Sequence, residues 1–373
     1  MSKKFKYYDV RHMIREYPDA HYYMCIGERS NGKTYSAMDY CLERFIENGE
    51  QFAYIRRYGE DIKIAQMSEL FAGHIKNGRI SQLTQGEWTT IIFERKKFYL
   101  ARLDEEDKVV KNTVPCGFVF DLSGMEHYKS VAFPDITTIV FDEFMARRGY
   151  LPNEFELFQN VLSTIIRLRD NVKILMLANT VNKYCPYFAE MGLNHVKDQK
   201  QGTIDVYHYG ESGLQVIVEY CESASSKGGK LSDVYFSFDN PRLQMITQGN
   251  WEINAYPRLP FKYRPKDVLF QFFIHFDKEY VHGEIINNPN RDGIVLYFHP
   301  KTTEIKNPKS DVVYTDYPAP NWNYRMQITK QSDYLSKKII ALIRENRAFY
   351  ATNECGEIVR NYLLWCNTYS VTN

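Results

Sequence analysis

The sequence predicts an α/β fold with a mostly parallel sheet, because short apolar runs alternate with helical patterns. Residues 22–26, 137–141 and 172–178 are apolar runs of strand length, as expected of strands buried on both faces. Residues 33–47 carry apolar side chains at helical spacing, and residues 152–169 are expected to form another helix. Strands and helices in alternation indicate a parallel sheet with helices on both faces.

Two further segments are expected to extend this sheet. Residues 51–57 have the composition of a second strand. Residues 88–122 alternate charged residues with β-branched or aromatic ones, and they predict hairpins inserted into the sheet or lying at its edge. Asn48 and Gly49 mark the end of the first helix.

The length of 373 residues indicates more than one domain. The alternating pattern weakens near residue 220, where small, polar and glycine residues follow. We therefore predict a first domain over residues 1–222, a linker over 223–258 and a smaller C-terminal α+β domain over 259–373. In the last region, strands joined by turns are expected over 268–299 and a helix over 331–349.

The charge of the chain is balanced, since 47 basic and 46 acidic side chains give a formal net charge of +1. A protein that coats nucleic acid is usually far more basic, so any contact with a polyanion is expected to be local and transient. The 29 Tyr and 23 Phe residues are interpreted mainly as packing residues, with stacking on nucleic acid as the alternative.

The seven cysteines are odd in number and contain no C-x-x-C pair, which predicts reduced, mostly buried thiols in a cytosolic protein. The histidines show no spacing typical of a structural zinc site, and we expect none. No segment approaches about 20 uninterrupted apolar residues, so we expect no membrane span.

A phosphate-binding motif follows the first predicted strand. It matches G-x-x-x-x-G-K-[ST] at every fixed position, and its residues are Gly27, Glu28, Arg29, Ser30, Asn31, Gly32, Lys33 and Thr34. Lys33 is expected to reach the β- and γ-phosphates and the Thr34 hydroxyl to bind Mg²⁺, while backbone N–H groups wrap around the phosphates. Because a strand precedes the motif and an amphipathic helix follows it, we predict a P-loop that binds ATP and Mg²⁺ rather than a glycine turn without a ligand.

Two adjacent acids end the strand over residues 137–141. Asp142 fits the Walker B role of holding Mg²⁺, directly or through water, and Glu143 fits the base that orients the attacking water. Asn179 ends the 172–178 strand and is interpreted either as a sensor of the γ-phosphate or as the cap of a turn.

The class of nucleotide also follows from these residues. A switch GTPase would carry N-K-x-D, whereas residues 182–185 read Asn-Lys-Tyr-Cys and lack the Asp. An acid directly after the Walker B Asp favours ATPases of the additional-strand, catalytic-Glu (ASCE) class. We therefore predict a P-loop NTPase domain of this type that hydrolyses ATP.

Taken with their order and spacing, these motifs resemble those of a known family, the DNA-packaging (encapsidation) ATPases of small short-tailed phages with protein-primed genomes, the Picovirinae type. The likeness covers roughly residues 5–190. The stretches that carry it are residues 26–35, 49–52, Tyr54, 56–58, 138–144, 150–154, 167–169, Asn179 and 186–188.

The resemblance implies an ATPase that forms a homomeric ring, typically a pentamer, on the portal vertex of an empty procapsid in the host cell cytoplasm. Such a ring drives double-stranded DNA into the procapsid, and some members also dock on a packaging RNA. The C-terminal domain is implied to be a vestigial RNase H-like nuclease.

The resemblance also assigns roles across subunits. Arg167 matches the arginine finger that reaches the γ-phosphate of a neighbour, Arg169 is an alternative, and both can instead be solvated residues at a helix end. Lys129 stands where the family has a second trans-acting basic residue. Arg29 is expected to sense the nucleotide or brace the neighbouring subunit.

Two departures from the family pattern stand out. Gly59 occupies a position where a basic residue is expected, and the C-terminal region is longer than expected. Contacts to DNA are expected on phosphates, with Lys108, Lys111 and residues 227–230 as candidates that can equally be solvated surface charges.

Two alternative functions remain at this point. One is a nuclease regulated by its P-loop domain, in which Asp277, Glu284 and Asp292 would contribute to a two-metal site. The other is an adaptor whose residues 259–373 bind a procapsid or an RNA.

Overall fold

A computed structural model gives the fold as two compact units, a first unit of residues 1–147 and 154–252 and a second unit of residues 148–153 and 253–373. The structure describes residues 7–124, 131–146, 150–180, 183–222, 255–288, 293–301, 305–307 and 309–368. Most of the predicted linker lies outside these ranges, so the domain boundaries stay a prediction.

The first unit is built on a ten-stranded sheet in the part of the chain that is described. Its strands are β1 (Tyr22–Gly27), β2 (Gln51–Arg56), β3 (Thr90–Glu94), β4 (Lys97–Leu103), β5 (Val109–Lys111), β6 (Gly117–Asp121), β7 (Ile136–Asp142), β8 (Lys173–Asn179), β9 (Thr203–Tyr209) and β10 (Leu214–Tyr220). Their order is β3-β4-β6-β2-β7-β8-β1-β10-β9, and β5 pairs with β4.

The centre of this sheet is parallel from β6 to β10, and antiparallel strands flank it on both sides. The predicted α/β fold with a mostly parallel sheet is therefore confirmed. β8 lies between β1 and β7, so an additional strand separates the strand that precedes the P-loop from the strand that carries the two acids.

The described helices of the first unit connect these strands. They are α1 (Arg11–Glu16), α2 (Lys33–Asn48), α3 (Ile64–Glu69), α4 (Ala72–Lys76), α5 (Arg79–Leu83), α6 (Glu154–Ile166) and α7 (Pro186–Glu190). α2 begins after Gly32 and ends at Gly49, whose φ of 73° lets its N–H bond the carbonyls of Arg44 and Phe45. The predicted helix over 33–47 is thus confirmed.

Several expectations need correction. α6 ends at Ile166 rather than near residue 169, because Arg167 adopts a left-handed conformation with φ 54°. Residues 88–122 form the expected β3–β4 hairpin at the edge, but β6 instead runs parallel to β2 inside the sheet. β9 and β10, for which no strand is predicted, lie within the predicted first domain and end at Tyr220.

The second unit is an α+β arrangement around a six-stranded sheet of described residues. Its strands are β11 (Val268–Phe276), β12 (Glu279–Asn287), β13 (Ile294–Pro300), β14 (Val313–Thr315), β15 (Tyr324–Met326) and β16 (Ala348–Tyr350), in the order β15-β14-β11-β12-β13-β16. β11, β12 and β13 form an antiparallel meander, and the outer strands add in parallel.

Among the described residues of the second unit, two segments form α-helices, α8 (Tyr334–Arg344) and α9 (Asn353–Thr368). The predicted helix over 331–349 is too long, since residues 348–350 form β16 beside β13. α9 was not predicted. The RNase H-like interpretation of this unit stays a prediction.

Gly283 of β12 shows which face of the second sheet packs into the aromatic core. A Cβ atom on Gly283 would lie 2.3 Å from the ring of Phe272, so the aromatic side chain packs directly over the glycine. Phe272 also contacts Phe298 and Tyr314 edge-on in the buried core. Because side chains alternate along a strand, the neighbours of Gly283 in β12 point to the opposite face.

All seven cysteines are free and buried, as predicted. Within the parts of the chain that the structure describes, none of the helices combines the length and the apolar character that crossing a bilayer requires.

Candidate functional site

Parallel pairing brings the ends of three strands to one edge of the first sheet. Gly27 of β1 pairs with Asn179 of β8, and Asp142 of β7 pairs with Leu177 of β8. The loop after β1, the acids after β7 and Asn179 therefore meet at the carboxyl edge, where ligands bind in open α/β sheets.

The loop over residues 27–34 has the backbone of an anion cradle. Ser30 and Gly32 adopt positive φ angles of 65° and 97°, and α2 starts directly afterwards, so N–H groups and the positive end of a helix face the same space. A Cβ atom on Gly27 would lie 2.8 Å from the Cβ atom of Cys221, so only glycine fits there. Arg29 is exposed in this loop.

Lys33 is held inside the loop rather than extended into solvent. Its Nζ atom donates to the carbonyl of Glu28 at 2.7 Å, to Oδ1 of Asn31 at 3.1 Å and to Oδ1 of Asn179 at 3.5 Å. Burial lowers the pKa of Lys33 from its ordinary value. The contact between Lys33 and Asn179 brings the two side chains close enough to reach one bound ligand.

One donor in this loop is unsatisfied among the described residues. Nδ2 of Asn31 is buried and has no hydrogen-bond acceptor. Buried donors are normally paired, and a phosphate oxygen would supply the acceptor. The loop thus fits an anionic ligand.

Thr34 and Asp142 form a pair of oxygen ligands. The Thr34 hydroxyl donates to Oδ2 of Asp142 at 3.1 Å, and the Tyr54 hydroxyl donates to the same oxygen at 2.9 Å. Burial raises the pKa of Asp142, although nearby Arg56 opposes that shift. A hydroxyl and a carboxylate are ligands that Mg²⁺ prefers, so these two residues fit the predicted metal site.

Glu143 lies in a strained position next to this pair. Its φ of 57° is rare for a residue with a side chain, and its N–H donates to Oδ1 of Asp142 at 3.0 Å. Its carboxylate accepts from Arg56 at 2.8 Å, and half of the side chain is exposed. Arg56 therefore fixes where the Glu143 carboxylate points.

A buried arginine anchors the segment that follows Glu143. Arg57 donates to both carboxylate oxygens of Glu154, at 2.7 and 2.9 Å, and to the carbonyls of Glu143 and Phe144 at 3.0 and 2.6 Å. Tyr187 completes the network by donating to Glu154 at 2.8 Å. No motif predicts this role of Arg57, because Glu154 stands 97 residues away and no spacing rule connects the two residues.

The Arg169 guanidinium is hydrogen-bonded to the backbone of its own chain. The guanidinium donates to five backbone carbonyls, those of Phe133, Pro134, Ile136, Ile165 and Ile166, at 2.7 to 3.3 Å. All five guanidinium N–H donors are thereby used. This geometry argues against Arg169 as a trans-acting residue.

Arg167 is differently placed. Its side chain is exposed, and its guanidinium donates a hydrogen bond to the carbonyl of Val131 at 2.9 Å. The following residue, Leu168, is fully exposed. Both residues lie near the start of β7, and a seven-residue strand is about 20 Å long. Arg167 is therefore remote from Asp142 of its own subunit.

The remaining candidates for trans or DNA contacts fall into two groups. Lys129 and residues 227–230 lie outside the described residues. Lys108 and Lys111 are paired with Glu106 and Glu94 on the surface.

The two acids proposed for a nuclease that the structure describes, Asp277 and Glu284, do not converge. Asp277 follows β11, and its N–H donates to Asp316 at 2.9 Å. Glu284 pairs with Gln271, six residues before Asp277 and about 20 Å away along the strand. Asp292 lies outside the described residues. Among described residues, the three-carboxylate set required by the nuclease hypothesis is not assembled.

Solved structures share this fold. The bacteriophage Phi-29 viral genome packaging motor assembly matches with a TM-score of 0.55 and 22% identity over 96% of this chain and 99% of that chain. The Phi-28 gp11 DNA packaging motor matches with a TM-score of 0.51 and 16% identity over 99% of this chain and 100% of that one. At these identities the likeness concerns the fold.

Sequence comparisons agree. A DNA packaging protein of Bacillus phage B103 is 33% identical over 171 residues, which are 45% of this chain and 47% of that protein, so the match spans about half the length of this curated relative. The model of a family described as Podovirus DNA encapsidation protein (Gp16) matches residues 1–209, more than half of the chain. The family resemblance drawn from the motifs is confirmed, and the chain belongs to the Podovirus DNA encapsidation protein (Gp16) family.

Proposed function

We propose that this protein is an ATP-driven motor that packages double-stranded viral DNA into an empty procapsid through the portal. The observation that supports this most directly is the meeting of Lys33, Thr34, Asp142, Glu143 and Asn179 at one sheet edge. Membership of a DNA encapsidation family supplies the substrate class.

In this proposal the loop over residues 27–34 binds the phosphates of ATP. Lys33 exchanges its contacts with Glu28 and Asn31 for phosphate oxygens, and the Asn31 amide gains an acceptor. Thr34 and Asp142 hold Mg²⁺, which supplies charge neutralisation on the phosphates when bound.

Glu143 is the proposed base that orients the attacking water. In the structure the Glu143 carboxylate accepts a hydrogen bond from Arg56. To act on water, the carboxylate has to break this contact or accept hydrogen bonds from Arg56 and water together. Arg56 is thus a positioning residue for Glu143. Asn179, in contact with Lys33, is the proposed sensor of the γ-phosphate.

Arg167 is the proposed arginine finger in a homomeric ring, for which we favour a pentamer. Its distance from Asp142 of the same chain excludes a direct role at its own site, whereas exposure of Arg167 and Leu168 suits contact with a neighbour. A guanidinium stabilises charge that develops on the transferred phosphoryl group.

The partners follow from the same proposal. DNA is gripped through its phosphates, because a packaging motor has to accept any sequence. A net charge of +1 fits a grip that is released at each step. The motor is proposed to act in the host cytoplasm at the portal vertex, with a packaging RNA as a further proposed partner.

The test is the substitution Glu143→Gln. We expect DNA- and procapsid-stimulated ATP hydrolysis to fall by about 100-fold or more, because the amide cannot accept a proton, while ATP affinity stays roughly unchanged. Hydrolysis is measured by phosphate release and affinity with a fluorescent ATP analogue.

The matched control is Glu60→Gln, an exposed acid of the same unit, which should leave both quantities unchanged. Full hydrolysis by the Glu143→Gln protein would exclude the role of Glu143. Normal hydrolysis without DNA entry into procapsids would keep the ATPase and reject the packaging motor.

A further inference from the structure

A cluster of three ligand-type side chains lies in the second unit, on residues that the nucleotide site does not use. His282 and Glu284 of β12 and His299 of β13 have ligand atoms that all lie within 4.8 Å of one another. His282 and Glu284 are two residues apart on one strand, and His299 pairs directly with His282 across the meander. The hairpin therefore places all three on one face of the sheet.

This face is opposite the aromatic core. Gly283, between His282 and Glu284, is covered by Phe272 on the core side, so its two neighbours are turned away from the core. On their own face His282 stacks against Phe273, at 4.8 Å between ring centroids, and meets the ring of His299 at 4.4 Å. The two imidazoles are thereby held close together by the sheet itself.

Glu284 is buried and its carboxylate is held in place. Oε1 accepts from Gln271 at 3.3 Å, Oε2 accepts from the Tyr263 hydroxyl, and Nε2 of His299 lies 3.8 Å from Oε2. Outer hydrogen bonds of this kind orient a carboxylate ligand in metal sites.

A purely hydrogen-bonded network would explain Glu284 and His299, but it does not explain His282. Nε2 of His282 is buried and has no hydrogen-bond partner among the described residues. A neutral imidazole nitrogen without a donor is available as a metal ligand.

We propose that His282, Glu284 and His299 form a site for a divalent transition-metal ion, for which Zn²⁺ is the natural probe. Two imidazoles and one carboxylate suit Zn²⁺ and its neighbours, whereas Mg²⁺ and Ca²⁺ prefer oxygen ligands throughout. Ligands at about 2.0–2.2 Å from one ion are closer together than 4.8 Å, so the side chains rotate inwards by about 1 Å on binding.

The bound ion clamps β12 to β13 and, through Tyr263 and Glu284, holds the segment that precedes β11. Its function is stabilisation of the second unit, with one coordination position left to water. Sequence spacing does not indicate such a set, because it is completed only by the pairing of β12 with β13.

The test uses the full chain, stripped of metal and kept in excess Mg²⁺. We expect about one Zn²⁺ per chain by elemental analysis, a visible absorption band from bound Co²⁺, and a rise in the thermal unfolding midpoint of the second unit. His282→Gln and His299→Gln should each weaken Zn²⁺ binding by about tenfold or more, and Glu284→Gln should also weaken it while keeping the partner of Tyr263.

His275→Gln is the matched control, because His275 lies in the same unit but stacks on Tyr280 and bonds Tyr317 instead. It should bind Zn²⁺ like the unaltered protein. Three results would each overturn the proposal. The first is that the unaltered protein does not retain Zn²⁺, and the second is that millimolar Mg²⁺ displaces it. The third is unchanged Zn²⁺ binding in the double variant of His282 and His299 with intact circular dichroism.

Discussion

At the scale of single residues, burial shifts the pKa values of two groups in the candidate site. Burial lowers the pKa of Lys33 and raises that of Asp142, so the surroundings of each group disfavour its charged form. An anionic phosphate beside Lys33 and a cation beside Asp142 would reverse both effects. The two residues are therefore better suited to a site containing ATP and Mg²⁺ than to one without them.

A second titrating contact connects α1 to β10. Nε2 of His12 lies 3.0 Å from Oε2 of Glu219, which also accepts from the Tyr8 hydroxyl, while Nδ1 faces the carbonyl of Asp9. The bond to Glu219 raises the pKa of His12, although partial burial opposes the shift. A group with a raised pKa binds its proton more tightly in the folded state than in the unfolded state.

We predict that the contact between His12 and Glu219 stabilises the first unit at acidic pH and not at alkaline pH. The contribution is fully present below about pH 6.5, the unfolded value, and is lost as the pH rises through the raised pKa of His12. Urea unfolding of the unaltered and His12→Gln proteins should differ at pH 6 and converge at higher pH. Exposed His208→Gln is the control, and a pH-independent difference for His12→Gln would contradict the assignment.

At the scale of elements, β1, β2, β7, β8 and α2 follow from the sequence because their apolar patterns are continuous or regularly spaced. β9 does not follow because its side chains are partly exposed, and β10 does not because its apolar run is only three residues long. The positions of Lys33, Thr34, Asp142 and Glu143 follow from motif spacing. Their neighbours Arg56, Arg57 and Tyr54 do not, because those contacts depend on the parallel pairing of β2 with β7.

Two arginines that follow α6, separated by Leu168, have different structural roles. We predict that Arg169→Ala lowers the free energy of unfolding by about 1–3 kcal/mol, because four part-buried carbonyls lose their donor. Exposed Arg167→Ala should change it by less than about 0.5 kcal/mol. Urea unfolding measures both, and equal effects of the two substitutions would show that the carbonyl contacts of Arg169 do not stabilise the fold.

At the scale of the whole molecule, the role proposed for Arg167 requires an assembly, because this arginine is remote from Asp142 of its own chain. We predict that Arg167→Ala protein and Glu143→Gln protein are each inactive alone and that mixing them restores part of the ATP hydrolysis. In a mixed ring, the intact Arg167 of one subunit meets the intact Glu143 of another.

The readout is phosphate release from preassembled mixtures at several ratios, with each variant mixed with itself as the control. ATP hydrolysis should recover most when the two variants are mixed in about equal amounts, because subunits of different variants are then most often neighbours. No recovery at any ratio would indicate that Arg167 does not act across subunits.

The burial of every cysteine has a practical consequence for following such a ring in motion. All seven native thiols are shielded from reagents in solution, while Leu168 is fully exposed beside Arg167. A Leu168→Cys protein would therefore accept one maleimide dye at the proposed subunit contact without removal of the native thiols. Energy transfer between labelled neighbours could then report how the contact opens and closes during a cycle.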